Sequence, residues 1–285
     1  MNNYLELKDV SKNFNDFNLK NISFTLPMGY IMGLIGPNGA GKTTTIQLIL
    51  NMLEKDEGEI LVFDMDNAKN ENLIKQNIGA VFDNIFYADN WSIKDTEKAI
   101  SIFYKDWNHD IFKSMITRFN LPLNKKISEL SRGMQMKLML SCAFSHNAKL
   151  LILDEPTSGL DVVTRDELLE ILQDYIKDGD RSVLFSTHIT TDLEKIADYI
   201  TFINNGELFY TGSLQDLLEK FRLIKGIPRD LTDTLKKDII GLRETDIGFD
   251  GLIHTNDTVK YNSCIIDTAT IDDIVIKVSK RGVIR

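Results

Sequence analysis

Nine consecutive residues, Gly36-Pro37-Asn38-Gly39-Ala40-Gly41-Lys42-Thr43-Thr44, constrain this chain more than any other stretch, because they match the pattern G-x-x-x-x-G-K-[ST]. The glycines let the backbone turn tightly and aim successive N–H groups into one concavity at a helix N-terminus, which is a ready anion site. Lys42 adds a point charge that can reach the outer phosphates of a nucleotide, and the Thr43 hydroxyl is a hard oxygen ligand suited to Mg²⁺. The flanks agree with this reading. Tyr30-Ile31-Met32-Gly33-Leu34-Ile35 predicts a strand buried on both faces, and Ile46, Ile49, Leu50 and Leu53 recur at helical spacing. A glycine-rich turn before a helix can also be only a tight connection, so the rest of the chain must decide.

At 285 residues, 43% hydrophobic and 26% charged, the chain has ordinary globular composition and length for about two domains. No segment approaches the ~18 apolar residues of a membrane span. The N-terminus lacks a basic-then-apolar leader pattern, so a cytoplasmic chain is expected. A net charge of −9 argues against nucleic acid as a general partner, since phosphate backbones need clustered Lys and Arg. Cys142 and Cys264 stand far apart in apolar or strand-like surroundings and read as buried thiols of a reducing compartment.

Residues 4–30 alternate at period two, through Leu5, Leu7 and Val10 and then Ile22, Phe24 and Leu26, which predicts strands with Phe14 in the turn between them. Near residue 90 the period changes. Ser92-Ile-Lys-Asp95 has the form of a capping box, and Ala99, Ile102 and Phe103, then Phe112, Met115, Ile116 and Phe119, fall at helical spacing, predicting a helical insert over about 84–145. Leu150 to Leu153 is another buried strand ending at Asp154-Glu155-Pro156. A helical run from Arg165 to Ile176 follows, then a strand from Ser182 that ends in the polar Ser186-Thr187-His188. Strands alternating with helices imply a mostly parallel sheet with its ligand at the strands' carboxyl ends. Beyond about residue 220, Gly226-Ile-Pro228 breaks the pattern. The tail over 221–285 then offers strands at Ile239–Leu242, Gly251–His254 and Tyr261–Ile266 and a helix at Ile271–Val278, a small α+β appendage to an ATP-binding region over 1–220.

Four motifs follow the glycine loop in a fixed order, and from about residue 3 to 218 the sequence resembles the ATP-binding subunits of ABC transporters. Leu130-Ser131-Arg132-Gly133-Met134 resembles that family's LSGGQ signature. Leu150 to Glu155 resembles its Walker B strand and catalytic glutamate, Ser158-Gly159-Leu160-Asp161 its D-loop, and His188 its switch histidine. The resemblance implies an α/β P-loop NTPase (RecA-like) core with an antiparallel β subdomain, a helical insert carrying the signature, and the small C-terminal appendage. It implies an ATP hydrolase in which ATP is bound by Phe14, Gly36, Asn38, Gly39, Ala40, Gly41, Lys42, Thr43 and Thr44. Asp161 of the D-loop joins that ATP-binding set, and Ser131 and Gly133 of the signature face the ATP of a partner chain. Asp154 at a buried strand end can hold Mg²⁺ with Thr43, Glu155 can polarise the attacking water, and His188 can orient it. Lys42 neutralises charge on the phosphoryl oxygens. Phe14 stands where the family stacks an aromatic on adenine, although an edge aromatic can also simply pack. His109, His146 and His254 read as packed or exposed.

With one loop and one signature, the resemblance implies a head-to-tail dimer, either a homodimer or a heterodimer with a paralogous ATPase subunit. It also implies a separate transmembrane permease, which would hold the chain at the inner face of the cell membrane. Two places depart from the family pattern. Arg132 and Met134 replace a glycine and a glutamine of the signature, and Asp83, in Ile78-Gly79-Ala80-Val81-Phe82-Asp83-Asn84, replaces the Q-loop glutamine near Mg²⁺. That Val-Phe-Asp variant, with Trp91, the run Phe103 to Trp107 and the tail, looks like the branch serving antimicrobial-peptide and phenol-soluble-modulin exporters. The aromatics are candidate anchors for the permease or equally the insert's own core. The alternative is a soluble ATPase of the same type acting in macromolecular or cofactor assembly. A non-hydrolysing module is disfavoured because Glu155 and His188 are both present.

Overall fold

The computed structural model describes residues 2–83 and 85–280. Asn84, in the variant loop, and residues 281–285, the end of the expected appendage, lie outside the described residues. The first wing runs β1 (Asn3–Asn13), β2 (Asn18–Pro27), β3 (Ile31–Ile35), α1 (Lys42–Ile49), β4 (Glu57–Val62), β5 (Met65–Asp66), α2 (Glu71–Lys75) and β6 (Ile78–Val81). An insert of α3 (Ile93–Ser101), α4 (His109–Arg118) and α5 (Arg132–Ser145) precedes β7 (Leu150–Asp154), α6 (Val162–Ile176), β8 (Ser182–Thr187), α7 (Thr190–Ile196), β9 (Tyr199–Asn204), β10 (Glu207–Ser213) and α8 (Leu214–Lys220). The tail adds β11 (Phe221–Gly226), α9 (Asp233–Asp238), β12 (Ile240–Thr245), β13 (Gly248–His254), β14 (Ile265–Thr268) and α10 (Ile271–Lys280).

The large sheet has the order β5-β4-β1-β2-β10-β9-β3-β8-β7-β6. Strands β9, β3, β8, β7 and β6 are parallel, while β1 pairs antiparallel with β2 and β4 to form the expected β subdomain. Every residue of β3, β7 and β8 is buried, which is why these segments read as continuous apolar runs. Parallel register places Ile35 opposite Thr187 and Asp154 opposite Ser186, so the polar ends of three strands emerge at one level.

The insert packs Phe112, Ile116, Ile93, Leu138 and Met139 into the main core, and the capping box at Ser92 and Asp95 starts α3 as its spacing predicts. That helix stops at Ser101, so Ile102 and Phe103, expected to continue its helical spacing, stand exposed in the following turn. Helix α6 begins three residues before Arg165, because the Asp161 carboxylate caps it by accepting from the N–H groups of Val163 and Thr164, both at 3.0 Å.

The tail forms its own sheet, β12-β13-β11-β14, over a small core of Ile224, Leu235, Ile239, Phe249 and Ile253. Strand β11 and helix α9 had no clear sequence pattern. Tyr261, read as the start of a strand, lies in a turn instead, held there because its hydroxyl donates to Asp238 at 2.7 Å, and the strand starts at Ile265. Cys142 is buried and its thiol is pushed up to about 12 by loss of solvent, whereas Cys264 is only half-buried. Among the described residues, no helix is long and apolar enough to cross a membrane.

Behind the strand ends, Arg165 of α6 forms an ion pair with Asp192 of α7, whose side chain is wholly buried. Truncating one partner of a buried pair leaves an uncompensated charge. Arg165→Ala is expected to lower stability by about 3 kcal/mol, measured by thermal or urea unfolding, with Arg165→Lys losing less.

Candidate active site

The buried strand β3 delivers the chain into the glycine loop. At Gly36 (φ 154°) a Cβ atom would sit 2.2 Å from the Ile203 carbonyl oxygen, so only glycine lets the loop leave the sheet there. At Gly41 (φ 113°), which caps α1, a Cβ would come within 2.7 Å of Leu19 and 3.1 Å of Phe17. The first turn of α1 contains no acidic residue, so the positive end of its dipole is uncompensated. Ala40 is buried and ties the loop down, its carbonyl accepting from Gly206 N–H at 3.0 Å, while Asn38, Gly39 and Thr43 are exposed and Thr44 is half-buried. Lys42 is almost fully buried. Its Nζ donates to the carbonyls of Gly36 (2.9 Å) and Pro37 (3.4 Å) and lies 3.5 Å from Glu155 Oε1.

The opposing wall comes from the ends of β7 and β8. Asp154 is buried, and its Oδ1 accepts from the Ser186 hydroxyl at 2.6 Å. The same hydroxyl accepts from Glu155 N–H at 3.0 Å, and the Ser186 carbonyl accepts from it at 3.1 Å. Glu155 adopts φ 51°, a left-handed conformation that costs a non-glycine residue about 1–2 kcal/mol. Such strain clusters at functional sites where surrounding bonds enforce it. Here its carboxylate joins three elements. Oε1 faces Lys42 of α1, and Oε2 meets both His188 Nδ1 (2.7 Å) and His188 N–H (3.3 Å). The half-exposed His188 ring is thereby oriented with Nδ1 engaged, leaving Nε2 for a substrate.

Phe14 lies in the β1–β2 turn, partly exposed, with its ring 6.3 Å from that of Phe17, which borders Gly41. Phe17, absent from the sequence-based site, makes the second side of this aromatic edge beside the loop. Ser186 was also overlooked as a functional group, although a hydroxyl residue ending a buried strand was the available signal.

Ser131 caps α5, accepting from Met134 N–H at 3.3 Å, and Gly133 faces Leu160 across open van der Waals distance. Two of the three departing residues are partners: Arg132 forms an ion pair with Asp83, and its side chain lies over Gly159. Asp83 is thus held by a guanidinium. Asp161 is committed to capping α6, with three bonds that depress its carboxyl pKa. Among the described residues no hydrogen bond joins Ser131 to the loop at 36–44. The other histidines take structural positions. His146 is buried and stacked on Tyr104 at 3.9 Å, and burial lowers its pKa; His109 pairs with Glu97; His254 packs on Phe221.

A family profile described as ABC transporter matches residues 19–158. The ABC transporter ATP-binding protein YtrB of Bacillus subtilis (strain 168) is 34% identical over 219 residues, covering 76% of this chain and 74% of YtrB. The chain belongs to the ATP-binding proteins of ABC transporters. The bacitracin transport ATP-binding protein BcrA of Bacillus licheniformis is 26% identical over 294 residues, covering 98% of this chain and 94% of BcrA, the appendage included. A solved structure of an ATP-binding subunit of an ABC transporter superposes with a TM-score of 0.69 at 27% identity, covering 75% of this chain and 91% of that one. Proteins of this family bind ATP, hydrolyse it to ADP and phosphate to power transport, and work with transmembrane permease partners.

Lys42→Ala removes the side-chain cation that lies between the loop carbonyls and Glu155. A fluorescent ATP analogue titrated against this variant is expected to bind at least about tenfold more weakly, the loss of a charge-assisted contact of roughly 1.5–3 kcal/mol.

Proposed function

We propose that Glu155 is the group that polarises the attacking water, with His188 orienting it and Lys42 stabilising the phosphoryl charge. The observation that carries this reading is that one carboxylate, fixed in a strained conformation, touches both the loop lysine and the histidine. In the reaction the water oxygen forms the new bond to the γ phosphorus, the bond to the bridging oxygen breaks, and ADP leaves. Glu155 takes the water's proton, and Nε2 of His188 meets the γ-phosphoryl oxygens. Lys42 exchanges its internal carbonyls for phosphate oxygens, and the loop N–H groups share the charge that spreads over them. Phe14, with Phe17 behind it, supplies an aromatic face for adenine.

Thr43 and Asp154 fit Mg²⁺. One is an exposed hydroxyl and the other a buried carboxylate, both hard oxygen donors, and a cation that keeps several waters and shares phosphate oxygens needs only one or two protein ligands. When bound, Mg²⁺ neutralises phosphate charge. Asp83, paired with Arg132, is left out of that set.

We further propose a head-to-tail dimer, with an identical or a paralogous subunit, in which Ser131 and Gly133 of each copy close on ATP held by the other. The presence of one glycine loop and one signature in the chain supports it. Residues 1–220 would form the ATPase unit and 221–285 the accessory unit. The permease would dock at an apolar cavity of about 280 Å³ between the end of β6 and the insert, lined by Phe82, Phe86, Tyr87, Phe103 and Tyr104. Phe86 (72% exposed) and Phe103 (68%) are its free anchors, rather than Trp91 and Trp107, which pack on the core. This attachment places the chain peripherally on the inner face of the membrane. Export of a peptide or another amphipathic, toxic compound fits the Val-Phe-Asp loop and the match to BcrA across the appendage.

Glu155→Gln keeps the shape of the side chain and removes its basicity. The variant is expected to bind ATP at near wild-type affinity while its turnover falls at least ~100-fold; hydrolysis at the wild-type rate would exclude Glu155 as the base.

A further inference from the structure

His188 stands two residues before α7, and that short helix is gripped from two sides. On the core side Arg165 of α6 pairs with the buried Asp192 and donates from Nη2 to Thr191 Oγ1 at 2.8 Å. On the other side is the appendage. The buried Thr190 hydroxyl, in the first turn of α7, donates to Asp272 Oδ1 of α10 at 2.6 Å, and Ile271 N–H donates to Glu194 Oε1 at 3.4 Å. Helix α10 is itself anchored, with Ile271, Ile274 and Val278 buried and the Val278 carbonyl accepting from Asn204 of β9 at 3.4 Å.

Asp272 is not needed to start its own helix. Its neighbour Asp273 does that, accepting from Thr270 N–H at 3.0 Å while Thr270 Oγ1 accepts from Asp273 N–H at 3.1 Å. The carboxylate of Asp272, exposed and 82 residues away in sequence, is instead spent on Thr190. Between that bond and His188 there is one residue, Ile189, whose N–H is fixed by Thr187 Oγ1 at 2.9 Å. A tilt of α7 is therefore a displacement of His188 from Glu155, and small displacements of a positioned group cost rate steeply.

We propose that the C-terminal appendage positions the switch histidine: Asp272, acting through Thr190, holds α7 at the tilt that keeps His188 on Glu155. The proposal rests on the reading of His188 given above. Asp272 is a positioning residue, and its disruption lowers the rate of hydrolysis without weakening ATP binding. It gives the appendage a direct mechanical route to the hydrolysis site, so that a partner moving α10 would change turnover.

Steady-state ATP hydrolysis by the full-length chain tests this with Asp272→Ala, Asp272→Asn, Thr190→Val and, separately, His188→Ala. The expected result is a kcat about fivefold lower in Asp272→Ala and Thr190→Val with KM for ATP within about twofold of the parent, the scale of one lost hydrogen bond. Asp272→Asn, whose amide oxygen still accepts from Thr190, keeps the parental kcat. An Asp272→Ala variant with parental kcat, or one losing activity only in proportion to its unfolded fraction by circular dichroism, overturns the brace. So does an Asp272→Asn variant as slow as Asp272→Ala. Parental turnover in His188→Ala would instead overturn the underlying role of the histidine.

Discussion

The hydroxyl of Ser186 is the joint on which the site depends. It sits at the end of β8, between the strand that feeds the glycine loop and the strand that ends in two carboxylates, and it bonds to both Asp154 and the backbone of Glu155. Parallel register puts it there, and register is enforced by strands whose every side chain is buried. Donating to Asp154, it satisfies a buried carboxylate that would otherwise carry a large desolvation cost. Accepting from Glu155, with its own carbonyl doing the same, it helps hold that residue in a backbone conformation it would not choose. The strain aims one carboxylate at Lys42 and His188 together, so the fold converts core packing into a preorganised acceptor.

Much of this was legible along the chain because it is local. The glycine loop, its flanking strand and helix, the capping box at Ser92 and the apolar runs of β3 and β7 each declare themselves within about ten residues. The pairings that matter most are not local. Arg132 meets Asp83 across 49 residues, Arg165 meets Asp192 across 27, and Thr190 meets Asp272 across 82. No periodicity encodes such contacts. The positive φ of Glu155 was equally invisible, since Asp-Glu-Pro after a strand reads as an ordinary turn. In the tail, β11 and α9 escaped notice because short elements carry little pattern, and Phe103 read as helical because the apolar spacing continued past the true end of α3.

Two of the departures from the family pattern, Asp83 and Arg132, take on a single meaning once they are seen to touch. An aspartate in the loop after β6 and an arginine at the start of α5 are each unusual alone, and together they form an exposed ion pair whose worth in stability is within about 1 kcal/mol. Its consequence is geometric: it ties the signature helix to the edge of the cavity beside Phe82 and Phe86, which would connect a partner docked there, as proposed, to the surface proposed to close on a second nucleotide. In the brace proposed above, the appendage makes a comparable connection through α10 and α7.

Bound nucleotide is expected to replace the internal partners of Lys42 and to bring its γ phosphate to Glu155. A crystal structure of the chain with Mg²⁺ and a non-hydrolysable ATP analogue measures this directly. The expected structure has Lys42 Nζ released from the Gly36 carbonyl and within ~3 Å of β- and γ-phosphate oxygens, with the Glu155 carboxylate and His188 at the terminal phosphate. Nucleotide bound elsewhere, with Lys42 still on Gly36, would contradict it.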